Sequence, residues 1–387
     1  MTKKRAMDKE TKIIISIGAV LVLLALYNAA QLFSFGSVFE EKKEAQAVAS
    51  QLPKLSIITL TANDCKSCAP IGPVLSTLVS SGVNVTESST LDYVDDKSTD
   101  IILKYGIQKL PALVVTGELD KSSSLLRKLN ELGSRTTSDS NDFYIITTGQ
   151  PPYIDTKTGD VSGLITLTLL TKKDCAECSS VQPLVEQIKQ SSVRIKEEKE
   201  LDVSSTEGIA LAKKYLIEEV PTLVMSSDFG EYTELAASWN QVGTVEQDGS
   251  FVLRRLTAPY YSMKESRVVG LIAATVLRNS KCTECYNAFD FHRPILKNMG
   301  IIPSEESEVD YNTDAGKKLA EKYNITKLPA LILEGDTAAY PPLIQIWSQV
   351  GSVEKDGAHV FRIVEIARKP YWDLAKGEIV IPTAQQS

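Results

Sequence analysis

Histidine is almost missing from this chain: among 387 residues there are 2, His292 and His359. That scarcity leaves no plausible Ser-His-Asp set. Tryptophan is also scarce, with 3, and no glycine-rich loop is arranged to cradle phosphates. A basic excess is lacking too. The formal net charge is −7, which sets nucleic-acid binding aside. Apolar residues make up 43% and charged residues 24%, so neither a disordered nor a fibrous chain fits. At about 100–200 residues per domain, the length implies two to four domains.

Charge is absent from one long stretch. Ile13–Phe33 reads IIISIGAVLVLLALYNAAQLF, close to the ~20 apolar residues a helix needs to cross a bilayer. Lys3, Lys4, Arg5, Lys9 and Lys12 precede it against only Asp8 and Glu10. Basic residues are retained on the cytoplasmic side, so the acidic body is expected outside, behind a single-pass cell-membrane anchor. A cleaved signal peptide would have a shorter apolar core and a small-residue site close behind it. The nearest such sites, Ala45-Gln46-Ala47 and Ala47-Val48-Ala49, lie well beyond Phe33.

No cysteine stands alone. All 6 fall in pairs with two residues between: Cys65/Cys68, Cys175/Cys178 and Cys282/Cys285. The spacing of the pairs suggests a repeat of roughly 110 residues. A proline phrase repeats with it, as Lys104-Tyr-Gly-Ile-Gln-Lys-Leu110-Pro111, Lys214-Tyr-Leu-Ile-Glu-Glu-Val220-Pro221 and Lys322-Tyr-Asn-Ile-Thr-Lys-Leu328-Pro329. A third echo closes each unit at Pro152-Tyr153, Pro259-Tyr260 and Pro370-Tyr371. Units two and three also share a phrase that begins at Trp239 and Trp347. Three copies of one module follow. The expected division is a cytoplasmic tail (1–12), a transmembrane helix (13–33), a stalk (34–53) and modules at 54–152, 153–260 and 261–387.

Within a unit, apolar β-branched runs (Leu55–Leu60, Leu164–Leu170, Val268–Leu277) lead into each pair. Apolar residues then recur at helical spacing: Ile71, Val74, Leu75 and Leu78, then Val181, Leu184, Val185 and Ile188. Short strands are expected at Val83–Val85 and Val193–Ile195, and a helix at Thr206–Tyr215. The alternation predicts an α/β fold with helices on the faces of each sheet.

A strand, a Cys-x-x-Cys pair, a proline five residues later (Pro73, Pro183) and then the Leu/Val-Pro phrase together resemble the thioredoxin family. The resemblance covers roughly residues 54–372, in three tandem copies similar in plan to protein disulfide isomerase. It implies three thioredoxin-like domains and thiol-disulfide exchange on exported proteins. It implies a cis proline at Pro111, Pro221 and Pro329, facing the cysteines. The backbone beside it, at Leu110, Val220 and Leu328, would be free to pair with an extended substrate. It further implies Cys65, Cys175 and Cys282 as nucleophiles at a helix N-terminus, with Cys68, Cys178 and Cys285 resolving. Partners would be exported proteins with thiols or disulfides and a membrane redox partner. No cofactor, metal or nucleic acid is called for. This chain departs from the family at Asp64, Asp174 and Lys281, where no tryptophan precedes the pair. It departs again at Thr59, Leu169 and Val276, where the family's buried carboxylate is missing.

Lys66 should favour a thiolate, while Glu177 and Glu284 should oppose it, as should Asp64 and Asp174 unless they cap helices. The three sites should therefore differ in redox potential, with Lys281 setting the third apart. Three other uses of the cysteines stay open. A structural bridge over so short a loop contributes only about 2 kcal/mol by chain entropy, against about 3 kcal/mol for a 15-residue loop. Zinc usually needs two nearby pairs or added histidines, though copper at one exposed pair remains available. A non-catalytic adaptor would use the proline-side groove alone.

Overall fold

The computed structural model describes residues 52–138 and 141–382. The expected tail, transmembrane helix and nearly all of the stalk lie outside the described residues. Among those described, no helix is long and apolar enough to cross a membrane.

The first module opens with β1 (Lys54–Thr61), α1 (Gly72–Val79), β2 (Asn84–Asp92) and α2 (Asp96–Tyr105). It continues through β3 (Lys109–Leu110), β4 (Ala112–Gly117), α3 (Ser123–Leu132), β5 (Gly133–Ser138) and β6 (Asn141–Thr147). It ends in a hairpin of β7 (Tyr153–Asp155) and β8 (Val161–Ser162). The main sheet has the order β2-β1-β4-β6-β5, with β1 parallel to β2 and antiparallel to β4. A second, small sheet joins β3, β7 and β8.

Period-2 alternation along β1 builds this layering. Leu55 and Ile57 point into one core with Leu78 of α1 and Leu125 and Leu129 of α3. Leu60 points into the other with Ile107, Val114 and Phe143, and Ile101 of α2 packs against it. Helices therefore cover both faces. β2 reads NVTESSTLD, polar almost throughout and exposed along its middle. A sheet-edge strand needs no apolar face, so this strand runs longer than the Val83–Val85 expected from hydrophobicity.

The pattern recurs twice. The second module orders its sheet as Arg194–Asp202, Leu164–Thr171, Thr222–Met225, Phe251–Leu253 and Gly243–Val245. The third uses Glu305–Asp310, Ile272–Arg278, Ala330–Gly335, His359–Phe361 and Gly351–Val353. Each carries its own three-stranded hairpin sheet. These are three mixed α/β modules built on one repeated sheet order. The helix at Thr206–Tyr215 is present, with Ser205 accepting from the Gly208 N–H as its N-cap. Trp239 and Trp347 are core residues whose indole N–H groups donate to the Thr244 and Ser352 carbonyls.

Two boundaries differ from expectation. The Pro-Tyr hairpins pair backwards, into the module they follow, so the first compact unit ends at Ser162 rather than 152. The second compact unit begins at Gly163 and holds both later modules. The apolar run Val268–Leu277 is not one strand. Gly270, at φ +98°, divides it into Arg267–Val269, a hairpin strand of the second module, and Ile272–Arg278 of the third. A side chain at Gly270 would meet the Ala258 methyl at 2.6 Å. Its N–H donates to Asp336 at 2.9 Å and its carbonyl accepts from the Tyr340 phenol at 2.7 Å. Gly163, Asp228 and Tyr232 repeat this junction in the second module.

Candidate active site

In each module the cysteine pair sits in the loop that leaves the first strand. A carboxylate at the end of the neighbouring strand braces that loop. Asp92 accepts from the Asn63 N–H at 3.0 Å and from the Thr61 hydroxyl at 3.1 Å. Asp202 accepts from the Lys173 N–H at 2.7 Å, and Asp310 accepts from the Ser280 N–H at 3.0 Å. Hydrogen bonds from Ser204 and then from the Lys173 N–H hold Asp202 down at about 2. For Asp92, burial works the other way, but donation from Asn63 and Val94 outweighs it and the pKa falls. Sequence reasoning passed over these aspartates. Their signal was the repeated Leu91-Asp92, Leu201-Asp202 and Val309-Asp310 at the end of a polar strand.

All three pairs form disulfides, Cys65–Cys68, Cys175–Cys178 and Cys282–Cys285, each with Cα atoms 5.4 Å apart. Each pair lies in a turn, where the Cys68 N–H donates to the Cys65 carbonyl at 3.2 Å in the first. The helices start later, at Gly72, Gln182 and Ala288. This corrects the expectation that the first cysteines occupy helix N-termini. Pro73 and Pro183 lie in the first turn of their helices, where a missing N–H is harmless, and the residues before them form a loop. A helix dipole fades within its first turn, so it supplies little to Cys65, Cys175 or Cys282.

In the first and third modules the proline loops approach the cysteines. The Leu110-Pro111, Val220-Pro221 and Leu328-Pro329 bonds are cis. In the first module Cys65 and Cys68 pack against the cluster that contains Leu110, Ala112 and Ile154. In the third, Cys282, Cys285 and Pro329 line one cavity of about 200 Å³ with Val276, Asn279 and Tyr286. The Tyr286 phenol donates to the Pro329 carbonyl at 3.5 Å, and burial pushes its pKa well above the usual phenol range.

The expected substrate edge is a different matter. Leu110 pairs with Ile154, Val220 with Tyr261 and Leu328 with Trp372. Leu110, Val220 and Leu328 are 0% exposed, and Pro111, Pro221 and Pro329 are buried too. The backbone assigned to an incoming chain is therefore engaged by the module's own hairpin. Hydrogen bonds from Ala69, Ser179 and Tyr286, each following a second cysteine, tie the loop to the carbonyls of Pro152, Pro259 and Pro370 at 3.4, 2.7 and 3.1 Å. The Pro-Tyr echo thus marks a strap across the site.

Exposure separates the third site from the other two. Cys65, Cys68, Cys175, Cys178 and Cys285 are half-buried, whereas Cys282 is only 8% exposed. Their charged neighbours differ as well. The Tyr93 phenol donates to Asp64, Lys172 lies 3.8 Å from Asp174, and Lys281 is exposed beside Cys282. Neither Asp64 nor Asp174 caps a helix.

No protein family matches the chain as a whole or in part, and no characterised protein matches it in sequence. Among solved structures it is similar to the alkylhydroperoxide reductase AhpF of Enterococcus faecalis, at 15% identity over 48% of this chain and 88% of that one, with a TM-score of 0.16. A protein disulfide oxidoreductase from Aeropyrum pernix gives 13% identity over 45% and 78%, with a TM-score of 0.14. Human ERp44 gives 9% identity over 75% and 78%, also with a TM-score of 0.14. At scores this low the superpositions add nothing to the fold, which rests on the sheet order and the repeated loops.

Proposed function

We propose that the chain is a thiol-disulfide oxidoreductase with three exchange sites. The observation that carries this reading is the threefold recurrence of a disulfide in a loop braced by the neighbouring strand's aspartate, in a module with its own cis Leu/Val-Pro bond, with at least one cysteine of each pair only partly buried. A bridge serving stability alone would gain little from so short a loop.

In the reductive half-reaction, an external thiolate attacks one sulfur of the pair. A mixed disulfide forms, the intramolecular S–S bond breaks, and the other cysteine leaves as a thiolate. A second external thiolate attacks the external sulfur of that mixed disulfide, and the remaining protein cysteine leaves as a thiolate. Two thiols then become one disulfide, and the module gains two electrons and two protons. In the reverse direction Cys65 and Cys175 act as nucleophiles, with Cys68 and Cys178 resolving. Cys282 and Cys285 divide the same two roles in the third module.

The uncharged Ile13–Phe33 segment behind a basic tail supports a membrane-anchored protein whose modules work outside the cytoplasm. On this reading its partners are thiols and disulfides of the exported compartment, those of proteins included, and a membrane redox protein that restores the sites.

Trapping tests the reading. Serine at Cys68, at Cys178, or at either cysteine of the third pair leaves one thiol, which should attack substrate disulfides and stay as a covalent mixed disulfide after incubation with disulfide-bearing extracts. An adaptor without turnover would leave none. The Leu110–Ile154, Val220–Tyr261 and Leu328–Trp372 pairings count against the adaptor, because its groove is already filled.

A further inference from the structure

We propose that the hairpin following each Pro-Tyr phrase permanently occupies the strand edge beside the cis proline, so that these sites exchange with low-molecular-weight thiols and disulfides and not with polypeptides docked by strand addition. The inference rests on the oxidoreductase reading above and narrows its substrate class.

Register carries the argument. In an antiparallel pair, the N–H and C=O of one residue point to the same side, and bonded and non-bonded pairs alternate. The Thr156 N–H donates to the Gln108 carbonyl, the Met263 N–H to Glu218 and the Leu374 N–H to Thr326. Two residues further along each ladder the bonded positions recur, at Leu110–Ile154, Val220–Tyr261 and Leu328–Trp372. The residue before each proline therefore spends both backbone groups on its own hairpin. An incoming chain would find neither a donor nor an acceptor there.

The strap is held at several points. Its first proline carbonyl takes a hydrogen bond from the residue after the second cysteine. Tyr153 and Tyr371 are buried, and Ile154 belongs to the same core as Leu110. In the second module, Arg267 of the return strand also pairs with Asp336 at 2.7 Å. Displacing the hairpin would expose these buried groups and break the bonds to the cysteine loop. A small thiol needs none of that, because at least one cysteine of each pair is only partly buried.

The test uses the full-length oxidised chain. Each disulfide is reduced either by cysteine or by reduced, unfolded lysozyme at equal thiolate concentration, and each pair is read separately by thiol labelling and mass spectrometry. The expected result is that lysozyme thiols react no faster than cysteine at all three pairs. A rate ten times or more in favour of lysozyme would overturn the proposal while leaving the oxidoreductase reading intact. Failure of both reductants at every pair would remove that reading, and the proposal with it. A second arm uses Trp372→Pro, which deletes the N–H facing Leu328. Lysozyme should gain on cysteine at Cys282–Cys285 only, with the other pairs as internal controls. A uniform gain for both reductants would mean that the module had simply loosened. The wild-type comparison then decides alone.

Discussion

The Tyr93 phenol donates a hydrogen bond of 2.8 Å to Asp64, the residue immediately before Cys65. The bond raises the Tyr93 pKa, and it gives a partner to a carboxylate that would otherwise face a neighbouring thiolate unshielded. The second module has Val203 at the matching position and lacks the device.

Tyr93→Phe should therefore raise the thiol pKa of reduced Cys65. A full charge at about 6 Å in a water-like dielectric is worth about 0.7 kcal/mol, which sets a ceiling of about threefold on the effect. Iodoacetamide labelling of the reduced protein near neutral pH should slow at Cys65 by up to that factor, with Cys175 unchanged. Asp64→Asn should speed it. Equal rates in all three proteins would mean that Asp64 does not influence the sulfur.

The burial of Cys282 predicts which sulfur of the third pair meets an incoming thiol. Cys285 is the more exposed partner, so a cysteine mixed disulfide trapped by rapid acid quench should sit mainly on Cys285. The third pair should also be the last of the three to be reduced. Peptide mapping of the quenched adduct checks both points, and an adduct mainly on Cys282 would contradict the access argument.

His292 gives the third module an acid-sensitive core. It is 4% exposed, its ring sits edge-on to Phe291 and Phe361, and its Nε2 has no hydrogen-bond partner among the described residues. Burial alone drives its pKa from 6.5 to about 4. The unfolded chain takes up the proton first, so stability is fully present above about pH 6.5 and is lost progressively toward pH 4. The loss is of order 3 kcal/mol across that window. His292→Leu should flatten the dependence, read by hydrogen exchange of the third module. Identical profiles for both proteins would exclude this histidine as the source.

Much of this architecture could be read from the residues. Alternation at Leu55, Ile57 and Leu60 marks a strand buried on both faces, and the repeated cysteine and proline phrases locate the site. The small hairpins were illegible because strands of two or three residues, such as Tyr153–Asp155 and Val161–Ser162, carry too few positions for a period. Val268–Leu277 looked continuous because hydropathy does not register the positive φ at Gly270. The helix starts were misplaced because Pro73 and Pro183 fit a first turn as readily as an interior kink, and only coordinates separate the two. The capped proline edge depends on pairing between segments far apart in the chain, which no local pattern encodes.

The hairpin Tyr260–Val269 has a practical consequence for dissecting the chain. A second module cut where its Pro-Tyr phrase begins would expose Val220 to solvent and leave that residue's amide and carbonyl without partners. Such a fragment would be a sticky species, prone to aggregate through the bared edge and to show an artificial appetite for peptides. The smallest faithful fragment runs on to Val269, and activities measured on shorter pieces would describe the wound made by the cut.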